Sequence, residues 1–376
     1  MSCLAEGRGL CPRRDSQFDP RRRVFECDDD MLTADDYRPP RWLHSPHLQS
    51  VLGSGPWRRR RGARAMAATG ASTTAHIVDG GDGIRLQGLH SVPADGDPAR
   101  GLALLLHGWE GSVESSYMQL TAAQLLQRGF EVFRLNFRDH GDTHHLNEDV
   151  FHSNRIDEVV HAACDVARRF APRAGDTLPM VAAGYSLGGN FALRLALRAP
   201  AAGLKLEHVA AVCPVLDPAR TMDTLESGFP LYYWYFHRKW RGSLRRKRAL
   251  FPQRHRFDDR TLALGMRALT RWLVEQYTDL GTLENYFDGY AIARDRLAAL
   301  QVPASLLTSA DDPVIDVADF ARLRLPLHAT VEVAAHGGHC GFLENARYDG
   351  FAERWVADRL EAALATGVAP SAPAHD

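Results

Sequence analysis

A serine between an apolar strand and an amphipathic helix constrains the fold of this chain more than any other feature. Residues 184–188 read Gly-Tyr-Ser-Leu-Gly, a G-x-S-x-G motif with Ser186 at its centre. The run 180–185 is typical of a strand buried on both faces, and 188–197 has the spacing of an amphipathic helix. In this context the motif predicts a tight turn that presents Ser186 at the carboxyl edge of a parallel sheet.

Strand and helix patterns alternate over most of the chain from residue 74 onward. Residues 74–78 and 84–92 alternate in polarity around a Gly-Asp-Gly turn, which predicts a hairpin. Further strands are predicted over 102–106, 131–137, 208–215, 304–308 and 330–333, and helices over 118–128, 156–170 and 348–364. This order predicts an α/β fold with a mainly parallel, doubly wound sheet and helices on both faces.

The predicted domains follow from where this alternation begins, breaks and resumes. We expect a disordered extension over 1–30, an N-terminal arm over 31–73, a core over 74–216 and 297–366, a cap over 217–296 and a disordered tail over 367–376. The Pro- and aromatic-rich segment 37–50 predicts an extended arm, and the five arginines within 57–64 a solvated loop. The segment 217–296 regains helical periodicity near 262–277, so it predicts a helical cap inserted before the penultimate strand.

The charge balance and the cysteines exclude several classes of protein. Forty-five Lys and Arg against 46 Asp and Glu give a net charge of −1, which argues against a protein that grips nucleic acid over its whole surface. The six cysteines form no C-x-x-C pair, so neither a zinc ribbon nor a disulfide framework is expected. No apolar run reaches the length of a membrane helix, and the N-terminus lacks the apolar stretch of a signal peptide. We therefore expect a cytoplasmic location.

A serine hydroxyl is a poor nucleophile at neutral pH and needs a base. For a strand–turn–helix serine the expected chain order is Ser, acid, His. His339 lies in a Gly-rich loop after the last predicted strand and before the final helix, where it can reach Ser186. His336 is the competitor, but it directly follows the strand, so we favour His339.

The acid should follow the penultimate strand, and two adjacent carboxylates do so. Asp312 comes three residues after the strand-end residue Ser309, and Pro313 fixes the turn beyond it. We therefore prefer Asp312 over Asp311, which would be a solvated or capping carboxylate.

Acyl transfer also requires N–H donors for the negative charge that develops on the carbonyl oxygen. One candidate is the backbone N–H of Leu187, the residue after the serine. The other is the backbone N–H of Trp109, in the loop His-Gly-Trp-Glu-Gly at 107–111 that follows a strand. His107 itself is expected to brace this loop.

Three other features indicate a function less specifically. Histidines and aspartates within 139–152 could hold a metal, but no metal-binding helix motif is present, so we favour a hydrogen-bonding loop and expect neither metal nor cofactor. Cys340 is expected to be a packing residue. A basic stretch in the cap predicts a solvated helix face or, alternatively, a weak contact with a membrane surface; it comprises Arg238, Lys239, Arg241, Arg245, Arg246, Lys247 and Arg248.

Taken together, these motifs resemble those of α/β-hydrolases, and more narrowly those of the YheT-like subfamily of esterases and related acyl-processing enzymes. The resemblance rests on the Pro-Pro-Arg-Trp and His-Leu-Gln parts of the arm, the oxyanion loop 106–111, Leu-Asn-Phe-Arg at 135–138, Phe-His-Ser at 151–153, the serine motif extended to 190, Asp-Asp-Pro at 311–313 and the histidine loop 337–342. It implies an α/β-hydrolase fold and a triad of Ser186, His339 and Asp312. The loop 139–145 departs from the family's small, Gly-rich loop, so substrate preference does not follow from the resemblance.

The expected function is that of a serine hydrolase that acts on carboxylic esters through a Ser-His-Asp triad and an acyl-enzyme. The aromatic-rich segment 229–240 of the cap is expected to wall the pocket and to select short to medium acyl chains. One alternative is an acyltransferase that passes the acyl group to an alcohol, and another is a non-catalytic ligand-binding protein. The expected partner is a small-molecule ester or lipid-like substrate, with no nucleic acid, and the oligomeric state is left open.

Overall fold

A mixed β-sheet forms the centre of the described part of the chain and carries the candidate site at one edge. The computed structural model describes residues 31–94 and 96–366, so the predicted extension and tail lie outside the described residues. The strands are β1 (Met31–Thr33), β2 (Ser72–Asp79), β3 (Arg85–Val92), β4 (Gly101–Leu106), β5 (Phe130–Leu135), β6 (Pro172–Arg173), β7 (Asp176–Thr177), β8 (Met180–Tyr185), β9 (His208–Val212), β10 (Ala304–Ser309) and β11 (Ala329–Ala334).

Within the described residues, nine of these strands form one sheet in the order β1-β11-β10-β9-β8-β4-β5-β3-β2. The pairs β2–β3 and β3–β5 are antiparallel, and the other pairs are parallel. β6 and β7 form a separate small hairpin. The carboxyl ends of β4, β8, β10 and β11 therefore meet at one edge of the sheet, where the loops that follow them can converge.

The helices surround this sheet. They are α1 (Pro46–Gly53), α2 (Pro56–Ala68), α3 (Ser116–Leu126), α4 (Ile156–Phe170), α5 (Leu187–Arg198), α6 (Pro218–Ser227), α7 (Pro230–Leu250), α8 (Asp259–Leu262), α9 (Met266–Tyr277), α10 (Leu283–Tyr290) and α11 (Phe351–Thr366), with 3-10 turns over Arg41–Leu43 and Val317–Arg322. No described helix is both long enough and apolar enough to cross a bilayer.

The two faces of the sheet bury separate cores, as the side chains of β4 illustrate. Leu104 and Leu106 contribute to a core with α4, α5 and the cap helices, whereas Ala103 and Leu105 contribute to a core with α3 and α11. Successive side chains of a strand point to opposite faces, so a continuous apolar run such as β4 requires cover on both sides. The predicted doubly wound α/β fold is confirmed, and the helices α6–α10 lie between β9 and the penultimate strand β10, as predicted for the cap.

The N-terminal arm differs from its prediction. Residues expected to be extended form α1, and the Arg-rich segment expected to be a solvated loop forms α2. Arg58 of α2 is buried, and it pairs with Glu353 of α11 and donates to the Tyr348 carbonyl. The local sequence does not show which arginine of the run is buried, because its partner Glu353 lies far away in the chain.

Candidate active site

Ser186 lies on a strained turn between β8 and α5. Its backbone has φ 54° and ψ −120°, a conformation that costs a non-glycine residue free energy and persists only where its surroundings impose it. A Cβ on Gly184 would lie 2.1 Å from the Gly188 carbonyl oxygen, and one on Gly188 would lie 2.3 Å from that of Leu106. The turn closes because both flanking positions lack a side chain, which is the physical content of the G-x-S-x-G motif.

His339 and Asp312 meet Ser186 from the loops after β11 and β10. The Ser186 hydroxyl lies 2.9 Å from His339 Nε2, and His339 Nδ1 lies 2.9 Å from Asp312 Oδ2. Asp312 Oδ1 accepts hydrogen bonds from the backbone N–H groups of Val314 and Ile315, at 2.8 and 3.0 Å. The Asp312 side chain is fully buried, so the carboxylate has a fixed position from which it orients the imidazole.

His336 and Asp311, the less favoured base and acid, form a second pair beside His339 and Asp312. His336 Nδ1 lies 3.4 Å from Asp311 Oδ2, and the His336 ring stacks on His44, with ring centroids 4.0 Å apart. Asp311 Oδ1 accepts a hydrogen bond from the backbone N–H of Gly338 at 2.9 Å. The structure thus brings the preferred His339 and Asp312 to the serine, and it places His336 and Asp311 in a supporting contact.

The electrostatic surroundings of His339 favour its protonated form. Burial works against the imidazolium, but the charge of Asp312, with smaller contributions from Cys340 and the Asp312 hydrogen bond, raises the pKa of His339 to about 9. A base with this pKa binds a proton firmly once it has taken it from the serine.

The arm supplies supporting contacts that sequence reasoning missed. Ser50 of α1 accepts a hydrogen bond from the backbone N–H of His339 at 2.8 Å, and Gln49 accepts one from that of Leu343 at 2.7 Å. Tyr37 donates to the Leu343 carbonyl at 3.0 Å. The sequence signal for these contacts is the His-Leu-Gln part of the arm, which contains Gln49. These contacts fasten the arm to the histidine loop.

The two predicted oxyanion donors lie beside the serine. Leu187 is the first residue of α5, and neither its N–H nor that of Trp109 donates to an acceptor within the described residues. A Cβ on Gly108 would lie 3.3 Å from the Ser186 Cβ, so the loop that carries Trp109 runs against the serine. His107 braces this loop, because its Nε2 accepts from the N–H of Phe137 at 3.2 Å.

Comparison with known families identifies the chain. Residues 97–346, about two thirds of the sequence, match the family described as serine aminopeptidase, S33. The chain belongs to this family of hydrolases. The family assignment agrees with a serine turn, a histidine loop and an acid loop at one edge of a parallel sheet. No match was found among curated proteins.

Solved structures show that the fold of this S33-family hydrolase is shared with enzymes of low sequence identity. An esterase of Pyrococcus furiosus has 14% identity and a TM-score of 0.51, covering 80% of this chain and 94% of its own. The esterase of the archaeon Pyrobaculum calidifontis has 16% identity and a TM-score of 0.52, over 83% of this chain and 92% of its own. A 2,6-dihydroxy-pseudo-oxynicotine hydrolase has 19% identity and a TM-score of 0.52, over 84% and 76%.

An apolar chamber opens beside Ser186 in the S33-family hydrolase, beneath the cap; its space of about 810 Å³ includes the opening to solvent. Phe236 and Trp240 of α7 line it, and both rings pack on Trp109, with centroids 5.4 and 5.6 Å away. Its remaining apolar lining includes Phe151, Val215, Met222, Leu225, Met266, Leu273 and Phe287. No Asp, Glu, Lys or Arg is among the described residues that line this chamber.

Only some aromatic residues of the segment 229–240 line the chamber, and the sequence did not indicate which ones. Of residues 229–240, Phe236 and Trp240 line the chamber, whereas Tyr232 bonds to His47 Nδ1 and Tyr233 accepts from the N–H of Met266. Trp234 is 57% exposed. The expected aromatic wall therefore consists of the residues on one face of α7, and most of the run packs elsewhere.

A second cleft also reaches Ser186, and it is called the polar cleft here because its lining includes charged side chains; its space of about 610 Å³ includes the opening to solvent. Its lining includes Arg59, Glu110, Tyr117, Tyr235 and Lys239. Lys239 donates to the Glu110 carbonyl, and burial, opposed by the charge of Lys239, raises the pKa of the Glu110 carboxyl to about 7. The serine thus lies where an apolar space and a polar space meet.

The histidine-rich loop 139–152 serves as a hydrogen-bonded support beside the site. His140 Nδ1 lies 2.7 Å from the Arg138 carbonyl, and His144 Nε2 lies 2.8 Å from the Ser243 hydroxyl. Burial is the main cause that lowers the pKa of His140 to about 4 and that of His144 to about 3, so both rings are neutral at pH 7. Among the described residues, these histidines do not converge with other ligand groups into a set of three.

The basic stretch of the cap is not a uniformly solvated helix face, which corrects the prediction. Lys247 is buried; its ammonium lies 2.6 Å from Asp139 Oδ1 and also donates to the carbonyls of His144 and Asn147. Arg246 pairs with Asp142 at the surface. The stretch therefore fastens α7 to the loop 139–152 of the core.

Proposed function

We propose that this hydrolase cleaves carboxylic esters with short to medium acyl chains through Ser186, His339 and Asp312. The observation that carries the proposal is a chain of hydrogen bonds, Ser186 to His339 to Asp312, at the mouth of an apolar chamber. The chamber would hold the acyl chain, and the polar cleft would hold the alcohol.

The reaction follows from the positions of the three side chains. Ser186 Oγ attacks the acyl carbon while its proton passes to His339 Nε2, and Asp312 stabilises the imidazolium. The N–H groups of Trp109 and Leu187 stabilise the negative charge on the carbonyl oxygen. The bond to the alcohol oxygen then breaks, and His339 returns the proton to that oxygen. Water repeats the sequence on the acyl-enzyme, which releases the acid and restores the serine.

The lining of the chamber favours an apolar acyl group over the N-terminus of a peptide. An ammonium group buried without a partner is costly, and the described lining offers no carboxylate to pair with it. Each methylene of an acyl chain buried there instead gains about 0.8 kcal/mol. An acyl chain that outgrows the chamber would leave its end uncovered, so we expect short to medium esters to be preferred.

Activity on p-nitrophenyl esters from acetate to palmitate, beside an aminoacyl p-nitroanilide, tests the proposal. We expect kcat/KM to rise with chain length, to fall again for the longest esters, and to be far lower for the anilide. Phe236→Ala and Trp240→Ala should change the ratio between octanoate and acetate, because they widen the chamber. Trp234→Ala, on the same helix but exposed, is the matched control. Preferential cleavage of the anilide would contradict the proposal.

Acyl transfer to an alcohol is a second candidate, and the polar cleft is the observation that favours it. A cleft that reaches Ser186 beside the chamber could admit an alcohol to the acyl-enzyme in place of water. Product analysis with added ethanol or glycerol separates the two, since a transferase forms the new ester in preference to the free acid. Labelling by a fluorophosphonate, lost in Ser186→Ala, distinguishes both from a protein that only binds a ligand.

The subfamily assignment is also a proposal. The arm, the loop 106–111 and the histidine loop support a place among YheT-like esterases, because Ser50 and Gln49 give the arm a defined contact with the histidine loop.

A further inference from the structure

Two free thiols lie beside the candidate base. Cys213 follows β9 directly, and Cys340 follows His339 in the chain. The two sulfur atoms and one ring nitrogen of His339 all lie within 4.8 Å of one another. Both cysteines have positive φ angles, 44° and 57°, so the local backbone holds the sulfur atoms in this arrangement.

The donor set is that of a thiophilic metal ion. Two thiolates and an imidazole are ligands that Zn²⁺ binds tetrahedrally, with bonds of about 2.0–2.3 Å, so that neighbouring ligand atoms lie about 3.5–3.8 Å apart. The three atoms need to approach by no more than about 1.3 Å to meet this geometry. The fourth position would take water, as in zinc sites with three protein ligands.

The hydrogen bonds of the two sulfur atoms are weak, but the two thiols differ in how readily they lose a proton. Their hydrogen bonds are long, 3.9 Å from Cys213 Sγ to the Gly338 carbonyl and 3.8 Å from Cys340 Sγ to that of Val212. Burial disfavours the thiolate of Cys340, but the hydrogen bond with Cys213 and the charge of His339 lower its pKa overall. Burial and the neighbouring Cys340 raise the pKa of Cys213 well above its usual value, so an ion has to displace the proton of Cys213. Cys340 and His339 both line the polar cleft, which gives an ion a path to the cluster.

We propose that Cys213, Cys340 and His339 form an inhibitory site for a thiophilic divalent cation such as Zn²⁺. Binding releases the thiol protons and the proton that the ligating His339 nitrogen carries, and the ion takes the lone pair of that nitrogen. An imidazole held in this way no longer accepts the proton of Ser186. The inhibition rests on the function proposed above, whereas the binding itself does not.

Zinc titration of esterase activity tests the inhibition. With the protein freed of metal and kept reduced by a phosphine, we expect inhibition at micromolar Zn²⁺ that EDTA reverses. Cys213→Ser and Cys213→Ala should keep basal activity within about twofold and raise the half-inhibitory concentration at least about tenfold, because they remove one thiolate ligand. Cys164→Ser, a change of the free cysteine on α4, is the matched control and should behave as the wild type.

Cobalt binding to the Ser186→Ala protein tests the site without any activity. Co²⁺ in a site with two thiolates should produce a near-ultraviolet sulfur-to-metal charge-transfer band, which Cys213→Ser should weaken and Cys164→Ser should not. A band without esterase activity in the wild type would leave the site standing and refute the proposed function. Equal zinc sensitivity of the wild type and Cys213→Ser, or the absence of the band, would overturn the site.

Discussion

Two histidine–aspartate pairs lie side by side at the end of the sheet, and only one of them reaches the serine. In the inner pair, His339 and Asp312 are 10% and 0% exposed, and the nitrogen–oxygen distance is 2.9 Å. In the outer pair, His336 and Asp311 are 33% and 20% exposed, and the distance is 3.4 Å. Both pairs join the same two loops, so loop position alone does not select a base and its acid.

The difference between the pairs comes from their third partners. Asp312 accepts two backbone hydrogen bonds and has no contact with solvent, which fixes the carboxylate and strengthens its effect on the imidazole. The outer histidine instead stacks on His44, and its aspartate holds the backbone of the loop. Burial and full hydrogen bonding thus mark the reactive pair, and partial exposure marks the supporting pair.

Alanine variants of the serine and of the two histidines should show the largest difference in kcat between the inner and the outer pair. Ser186→Ala and His339→Ala should each lower kcat by about 10⁴- to 10⁶-fold, and the double variant should be little worse, because the members act as a unit. His336→Ala should stay within about twofold of the wild type, as expected of a partly exposed residue. Steady-state kinetics on one ester gives all four values. An equal loss of kcat in His339→Ala and His336→Ala would contradict the assignment of the inner pair as the reactive one.

Neutralising the two acids should give the next largest contrast. Asp312→Asn should lower kcat by about 10⁴-fold, because an amide no longer stabilises the imidazolium and favours the wrong tautomer. Asp311→Asn should cost no more than about tenfold, since the amide oxygen can still accept from the N–H of Gly338. The same ester assay measures both variants. The reverse order of effects would move the role of acid to Asp311.

The pH profile tests the electrostatic part of the comparison. His339 acts as a base only when neutral, and its pKa is raised to about 9, so kcat/KM should increase with pH up to that value. NMR titration of the His339 ring in the Ser186→Ala protein should show the same pKa. Asp312→Asn in that background should lower it, because the charge that favours the imidazolium is gone. A ring pKa near the usual value for histidine, insensitive to this change, would contradict the role of Asp312.

The smallest effect is expected at the ring that supports the outer pair. His44→Ala removes one stacked ring contact, which is worth about 0.5–1.5 kcal/mol. Thermal unfolding should show a small decrease in Tm, and kcat/KM should remain close to that of the wild type. A large loss of activity at unchanged stability would show that the outer pair takes part in the reaction.

The sequence predicted the elements whose patterns are local. The bounds of α4 and β8 agree with prediction to the residue, because apolar periodicity and Gly or Pro at the ends define them without reference to the rest of the chain. The short strand β1 was missed, since three residues carry no period and their pairing with β11 joins positions about three hundred residues apart.

The same reasoning applies to the candidate site. Ser186 directly follows β8, whereas Asp312 and His339 lie in the loops that begin after Ser309 of β10 and Ala334 of β11. Sequence order and strand positions were therefore enough to bring these loops to the serine. The role of Ser50 could not be predicted from the sequence, because its partner is the backbone N–H of His339, 289 residues away. The sequence also could not show which aromatic side chains of α7 face the chamber, since this depends on how α7 is rotated against Trp109.

The buried pair of Lys247 and Asp139 has a consequence for how the enzyme meets its substrate. These side chains are 1% and 5% exposed, and removing either one would leave the other buried without a counter-charge, at a cost of about 3–5 kcal/mol. A cap fastened in this way does not swing open as a lid. Dissolved esters should therefore be cleaved with ordinary hyperbolic kinetics, and the rate should show no jump when the ester concentration passes the point at which micelles or droplets form.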